Sequence, residues 1–204
     1  MKVVGIIPIK LNSKRLPMKN IKLLNNKPLC QYLFDNVKNI KEFDEIYCYC
    51  SNNEIENYIP SNIIYLKRDK SLDSDNTSMN DVLEKFISEI NADIYVLLHV
   101  TAPFIKKDTI INCINKVKNY NYDSSFSAKE IKGFLWKNNN SINFDPSNIP
   151  RTQDLDSIYE ETSGVYVFKK DIFLKHNRRV GFNPYIHLIK FKESIDIDTS
   201  DDFE

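Results

Sequence analysis

Three polar segments carry residues able to do chemistry on a charged substrate. The first, "IPIKLNSKRLPMKN" (Ile7 to Asn20), places Lys10, Lys14, Arg15 and Lys19 among Asn12, Ser13 and Asn20, with no glycine. Ammonium groups and backbone N–H donors at this density can surround an oligophosphate, although a solvated loop has the same composition. Neither the glycine-rich P-loop nor the dinucleotide fingerprint is present. The second, "DIDTSDDFE" (Asp196 to Glu204), alternates Asp196 and Asp198 with Ile195 and Ile197. Placed at a strand end, the two carboxylates share a face and repel unless a cation lies between them. Oxygen ligands with a phosphate partner suit Mg²⁺, and a solvated acidic tail is the other reading. Asp201 and Asp202 fit the first turn of a following helix, with Thr199 or Ser200 as cap. The third, "LLHVTAPF" (Leu97 to Phe104), presents His99, Thr101 and Pro103 after an apolar run, either at a cleft rim or in an ordinary strand-to-helix turn.

These segments need a scaffold, and the apolar pattern supplies one. "VVGIIPI" reads as a buried strand, "EIYCYC" as a second and "NIIYLK" as a third. "PLCQYLFDNVKNI" has helical spacing with Pro28 at its first turn, and "SMNDVLEKFISEI" and "KDTIINCINKVKNY" are amphipathic. "DIYVLLHV" is a further strand between them. This alternation predicts an α/β fold: a doubly wound, mostly parallel sheet covered by helices. After Asp123 the rhythm loosens. "SSFSAKEI" fits a strand, Lys132–Tyr159 reads as a small turn-rich excursion with an "NNN" hairpin tip, "GVYVFKK" as a strand, Asp171–His176 as a short helix and "HLIKF" as a last strand. Residues 1–204 are read as one domain with 132–159 as an excursion within it. In open α/β sheets ligands sit beyond the carboxyl ends of the strands, so Lys10–Asn20, His99–Ile105 and Asp196–Asp202 should converge on one cleft.

Bulk properties exclude some classes. Lys and Arg number 28 and Asp and Glu 28, so the zero net charge argues against a broad nucleic-acid-binding face. No apolar run approaches the roughly 18–20 residues of a membrane span, and the first residues are too short and alternating for a signal peptide, which points to the cytoplasm. Four cysteines without a C-x-x-C pair read as small buried thiols, and three scattered His give no zinc site.

Five collinear blocks resemble the acylneuraminate cytidylyltransferases, the CMP-sialic acid synthetase family, with the CMP-Kdo synthetases as a near relation. They are "IIPIKLNSKRLPMKNIKLLNNKPL", "LKRDKSLDSDNTSMNDVL", "LLHVTAPF", "RTQDLDSIYEETSGVYVF" and "RRVGFNPYIHLI…SIDIDTSDDFE". The resemblance covers essentially the whole chain. It implies a Rossmann-like, Mg²⁺-dependent cytidylyltransferase that joins CTP to a sialic-acid-like α-keto acid sugar and releases pyrophosphate for surface glycan synthesis. By position, Lys10, Asn12, Ser13, Lys14 and Lys19 would surround the triphosphate, and Asn20, Arg68 and Ser78 would lie at the cytidine. His99, Arg151 and Gln153 would face the acceptor, and Asp196 and Asp198 would hold the metal. Lys14, Lys19 and Asp198 would carry the catalytic step. The excursion would form a homodimer interface.

The chain departs from the family pattern at three places. Lys10 stands for Arg, Asn12 for Gly, and His99 for Gln, which leaves the identity of the acceptor open. Asn tolerates positive φ better than most residues and could preserve the Gly-type turn at position 12. Kdo, a sugar phosphate or a phosphonate as acceptor, and a non-catalytic nucleotide-binding homologue, are the competing expectations.

Overall fold

The computed structural model describes residues 1–13 and 16–203. Its centre is β1 (Val3–Ile9), six of whose seven residues are buried. A strand apolar on both faces must be covered on both, and the helices divide accordingly. After β1 come two short hairpin strands, β2 (Leu23–Leu24) and β3 (Lys27–Pro28), and then α1 (Leu29–Val37). Asn25 and Asn26 make the hairpin turn at φ 48° and 62°, positive values that Asn tolerates. β4 (Glu45–Cys50), β5 (Ile64–Lys67), α2 (Met79–Glu89), β6 (Ile94–Leu98) and α3 (Lys107–Asn119) follow. The remainder is β7 (Ser124–Ile131), β8 (Trp136–Lys137), β9 (Asn140–Ser141), β10 (Ile158–Lys169), α4 (Lys170–His176) and β11 (Pro184–Leu188).

Seven strands form one sheet in the order β11-β7-β10-β6-β1-β4-β5. β1 pairs in parallel with β4 and β6, β4 with β5, and β11 with β7, whereas β10 runs antiparallel to both β6 and β7. Alternation along β1 sends Val3, Ile7 and Ile9 to one face, where α1 and α3 bring Leu33, Phe34, Ile110 and Ile114. Val4 and Ile6 reach the other face, which Leu83 and Phe86 of α2 and Phe173 of α4 cover. Phe86 packs edge-on against Tyr47, Tyr49 and Tyr95, with centroids 5.6, 5.4 and 6.3 Å away. All four cysteines are buried and free, as their apolar surroundings implied. Among the described residues no helix is long and apolar enough to cross a membrane.

The fold corrects three readings of the sequence. β10 begins at Ile158 rather than Gly164, because the polar stretch Ile158–Glu161 pairs with Ala128–Ile131, and the register shifts between Glu161 and Tyr166. The last strand is Pro184–Leu188 rather than "HLIKF", because Pro184–Leu188 pairs with Ser124–Ala128 while Phe191–Ser194 turns into a 3-10 helix. Asp196 and Asp198 follow this turn in extended chain and not in a strand; the backbone N–H of Ile197 donates to the Thr101 carbonyl at 2.8 Å. The "NNN" tip is a hairpin, with Asn138 and Asn139 at φ 49° and 65° between paired β8 and β9.

Glu193, in that 3-10 turn, fixes the route to the aspartates. Its buried carboxylate accepts from the Lys106 backbone N–H at 3.0 Å and from Thr109 Oγ1 at 2.6 Å, supplying an anion to the first turn of α3. Lys106 Nζ adds an ion pair at 2.9 Å. Burial alone would raise the Glu193 pKa, but the bonds from Thr109 and Lys106 outweigh it and hold the carboxyl below its ordinary 4.5. A depressed folded-state pKa stabilises above the unfolded value and is lost as pH falls through the folded one. Glu193→Gln should therefore lower stability by about 1–3 kcal/mol at pH 7 in urea unfolding, and the gap to wild type should close as pH drops below 4.5.

Candidate active site

The strand order reverses beside β1: β4 lies on one side and β6 on the other, so the loops after β1 and β6 open a crevice at their carboxyl ends. The β1 loop is closed at its neck, where the Met18 N–H donates to the Leu11 carbonyl at 3.1 Å. Met18 takes a left-handed conformation, φ 57° and ψ 18°, an uncommon state for a residue with its side chain. Its turn starts the 3-10 segment Lys19–Ile21 and aims Lys19 inward. Asn20 Nδ2 donates to the Lys10 carbonyl at 2.9 Å, tying the far side of the loop to its start. Asn12 is not among the described residues with positive φ, so the turn does not use the conformation expected there.

Lys19 meets the acidic segment. Its Nζ lies 2.7 Å from Asp198 Oδ1, and its side chain is 7% exposed. Asp202 reaches back to accept from the backbone N–H groups of Asp198 and Thr199, at 2.8 and 2.7 Å, and from Thr199 Oγ1. Asp201–Phe203 form a 3-10 turn where the sequence reads as the first turn of a following helix. Asp196 Oδ2 accepts from Ser163 Oγ at 2.6 Å, and the Ser163 carbonyl meets His99 Nδ1 at 2.7 Å. The three segments therefore do converge, through Lys19–Asp198, Thr101–Ile197 and the Ser163 bridge between His99 and Asp196. Lys14 lies outside the described residues, as does Arg15.

His99 is held in one state. A carbonyl only accepts, so Nδ1 carries the proton and Nε2 keeps its lone pair. Burial pushes the ring pKa down from 6.5, the Ser163 carbonyl opposes this, Arg179 reinforces it, and the two aspartates oppose it more weakly. The ring stands edge-on to Tyr166, with centroids 6.2 Å apart. A neutral imidazole, like a carboxamide, keeps both a donor and an acceptor atom.

On the β4 side, Arg68 is buried and paired with Asp73 at 2.5 Å, beneath the ring of Tyr49. Ser51 Oγ donates to the same carboxylate. Arg68 Nε and Asn20 Oδ1 are buried with no hydrogen-bond partner among the described residues, a donor and an acceptor where proteins pair nearly all such atoms. Lys10, whose Nζ lies 3.0 Å from Asp75 Oδ1, lines a cavity of about 260 Å³ with Pro8, Arg68, Thr77 and Ser78. Ser78 caps α2 in a capping box with Asp81, a structural duty that explains its place before the helix without a ligand. Asn12 lines an adjoining hollow of about 360 Å³ with Leu11, Ser51 and Asp73. A wider groove of about 590 Å³ lies beside Tyr32 and Lys192, lined also by Pro103, Phe104 and Ile105 at the end of the β6 loop.

Two expected acceptor residues are placed elsewhere. Arg151 is 73% exposed on the excursion and donates to Asp154 through Nε and Nη2, at 2.7 and 3.1 Å. Gln153 lines a small hollow with Glu130 and Ser157. No hydrogen bond or ion pair among the described residues joins either to Asp196, Asp198 or His99. Arg179, which the sequence reading did not single out, stands beside Tyr166 with Cζ 4.5 Å from the ring centroid.

The sheet and its crevice are those of the Rossmann-like nucleotidyltransferases. A solved structure titled as CMP:2-keto-3-deoxy-manno-octonic acid synthetase complexed with CTP superposes with a TM-score of 0.74, covering 98% of this chain and 95% of that one at 15% identity. A family model described as "Cytidylyltransferase" matches residues 4–202, and the chain belongs to that family. Among curated proteins it is similar to the N-acylneuraminate cytidylyltransferase of Streptococcus agalactiae serotype V, at 27% identity over 215 residues spanning 100% of this chain and 52% of that protein. It is also similar to the pseudaminic acid cytidylyltransferase of Campylobacter jejuni serotype O:2, at 29% identity over 223 residues covering 100% of this chain and 94% of that protein. The chain thus spans about half the length of the N-acylneuraminate relative it matches and nearly all of the pseudaminic one.

A lowered folded-state pKa makes the His99 contribution to stability full above 6.5 and lost as pH falls below it, because the unfolded chain then binds the proton more readily. His99→Gln should flatten this part of the melting-temperature profile between pH 7 and 5. His187 is shifted in the same direction, so the difference between the two proteins isolates His99.

Proposed function

We propose that the chain transfers CMP from CTP to an α-keto acid sugar of the sialic, pseudaminic or Kdo type and releases pyrophosphate. The observation that carries this reading is the Lys19–Asp198 ion pair, which joins the basic loop to the acidic segment across 179 positions of sequence. A triphosphate entering there finds Lys10 and Lys19 on one side and two carboxylates on the other. The unpartnered Arg68 Nε and Asn20 Oδ1 offer a donor and an acceptor to a base and ribose.

Mg²⁺ fits the donor set. Among the described residues there is no cluster of three or more candidate protein ligands, so the protein's share is Asp196 and Asp198. Two carboxylates completed by substrate phosphates and water is the usual manner of magnesium binding. When bound, the ion would supply charge neutralisation at the phosphates. The anomeric hydroxyl oxygen attacks the α-phosphorus, the bond to the bridging oxygen breaks, and pyrophosphate leaves with the electron pair. Lys10 and Lys19 offset the charge growing on the phosphate oxygens, and a carboxylate of the aspartate pair takes the hydroxyl proton. His99 Nε2, kept unprotonated by burial, accepts from an acceptor hydroxyl.

Pyrophosphate release, measured with CTP, UTP or ATP against N-acetylneuraminate, pseudaminate and Kdo, tests the reading. CTP with one of these acids should be the productive pair, and Asp198→Asn and Lys19→Ala should each lower its kcat by about 10²–10³-fold. No CTP-dependent release with any acid, or an undiminished Asp198→Asn, would refute it.

The reading extends to a homodimer through the excursion. Phe134, Trp136, Ile142 and Ile149 are exposed there, and Phe144 packs between the two aromatic rings at 4.6 and 5.4 Å. Light scattering should give twice the chain mass, and Trp136→Glu should shift it to the monomer without lowering the melting temperature.

A further inference from the structure

We propose that Ser163 is a positioning residue for the metal: its hydroxyl holds one oxygen of the Asp196 carboxylate and so leaves the other aimed at the cation. The inference rests on the reading above, which gives the ion Asp196 and Asp198, and names the residue that orients one of those ligands. The backbone beside Asp196 is fixed, because Ile197 is buried and its N–H donates to the Thr101 carbonyl at 2.8 Å. The Asp196 side chain itself is exposed, so packing does not choose its orientation. Its hydrogen-bond partner among the described residues is Ser163 Oγ, which donates to Oδ2 at 2.6 Å. A carboxylate held at one oxygen presents the other in a fixed direction, and partners of this kind tune metal ligands.

The backbone around Ser163 explains how the hydroxyl is held there. The ladder between β10 and β7 slips between Glu161 and Tyr166, and irregularities of this kind re-aim the side chains within them. Both neighbours of Ser163 in this stretch are pinned. Thr162 Oγ1 donates to the Ser127 carbonyl at 2.9 Å, and the Val165 N–H donates to Ser127 Oγ at 3.2 Å. Gly164 lets the chain pass between them, because a Cβ there would lie 2.8 Å from Ile105 Cδ1 and 3.0 Å from Ser127 Oγ. Ser163 thus commits its hydroxyl to Asp196 and its carbonyl to His99 Nδ1, at 2.7 Å. The two contacts are separable by substitution. Deleting the hydroxyl leaves the carbonyl, and with it the His99 contact, in place.

Mn²⁺ serves as the probe, since oxygen ligands that suit Mg²⁺ also take it and electron paramagnetic resonance reads the free ion directly. Titrated into the full chain without nucleotide, Mn²⁺ should bind wild type, and bind Ser163→Ala about 10- to 100-fold more weakly. Ser163→Thr, which keeps the hydroxyl, should restore most of the affinity. With CTP and the productive acid, the Mg²⁺ concentration giving half-maximal rate should rise by the same factor in Ser163→Ala, with the KM for the acid unchanged. The pH-dependent part of the melting profile that belongs to His99 should persist in Ser163→Ala, since the carbonyl contact remains. A residue that only braced β10 would lower the melting temperature without moving the Mn²⁺ affinity. Equal Mn²⁺ affinity in wild type and Ser163→Ala, a loss in Ser163→Thr as large as in Ser163→Ala, or no Mn²⁺ binding by wild type would overturn the assignment. Mn²⁺ affinity that falls as expected, with no CTP-dependent pyrophosphate release from any acid, would instead remove the transfer reading and leave the positioning role standing.

Discussion

The site hangs on one ion pair. Lys19 and Asp198 are far apart in sequence, and each is held by its own local device: the left-handed turn at Met18 for one, and the Asp202 cap behind Asp198 for the other. In water such a pair contributes little, but a side chain as buried as Lys19 lies where the effective dielectric is low and an uncompensated charge is costly. The β1 loop and the Asp-x-Asp segment are therefore obliged to meet. In the reaction proposed above, Lys19 would pass to phosphate as Asp198 passes to the metal.

Around this contact the fold separates two kinds of work. On the β4 side Arg68 is buried and paired with Asp73 below Tyr49. The β10 side is built from side chains that interlock loosely: His99, Tyr166, Glu161 and Arg179 touch through ring edges, one short hydrogen bond and a long ion pair. A family whose members are named for different sugar acids would vary on the second side and keep the first. The three departures from the family pattern follow that division only in part, because Lys10 and Asn12 fall on the nucleotide side and His99 on the other.

Much of this was legible in the sequence where a local signal coincided with the tertiary outcome. β1, β4 and β6 are unbroken apolar runs, and a strand covered on both faces has no other way to be written. α2 announces itself through its apolar stripe. The convergence of the three loops followed from the rule that ligands gather beyond the carboxyl ends of parallel strands. What stayed hidden depended on partners distant in sequence. The polar start of β10 and the position of β11 are set by pairing to β7, which no periodicity within either segment reveals. Arg179 lies in the "RRVGFNPYIHLI" block that resembles the family but is given no role there, and nothing local says that one arginine of the pair turns onto Tyr166 while the other turns onto Phe182. Arg151 had the stronger motif, yet Asp154, three residues later, is an immediate partner for it.

The strand order also has a consequence for how the chain comes together as it is made. In the sheet β7 pairs with β10 and β11, both of which follow it, and its ladder reaches the older half of the sheet through β10. While β1, β4, β5 and β6 can already form a parallel core, Ser124–Ile131 must wait without a ladder until Ile158–Lys169 arrives and slots between it and β6. Closing such a non-local pairing is slow compared with local helix formation. The excursion, synthesised during that interval, is the tether whose length sets how far β10 must search.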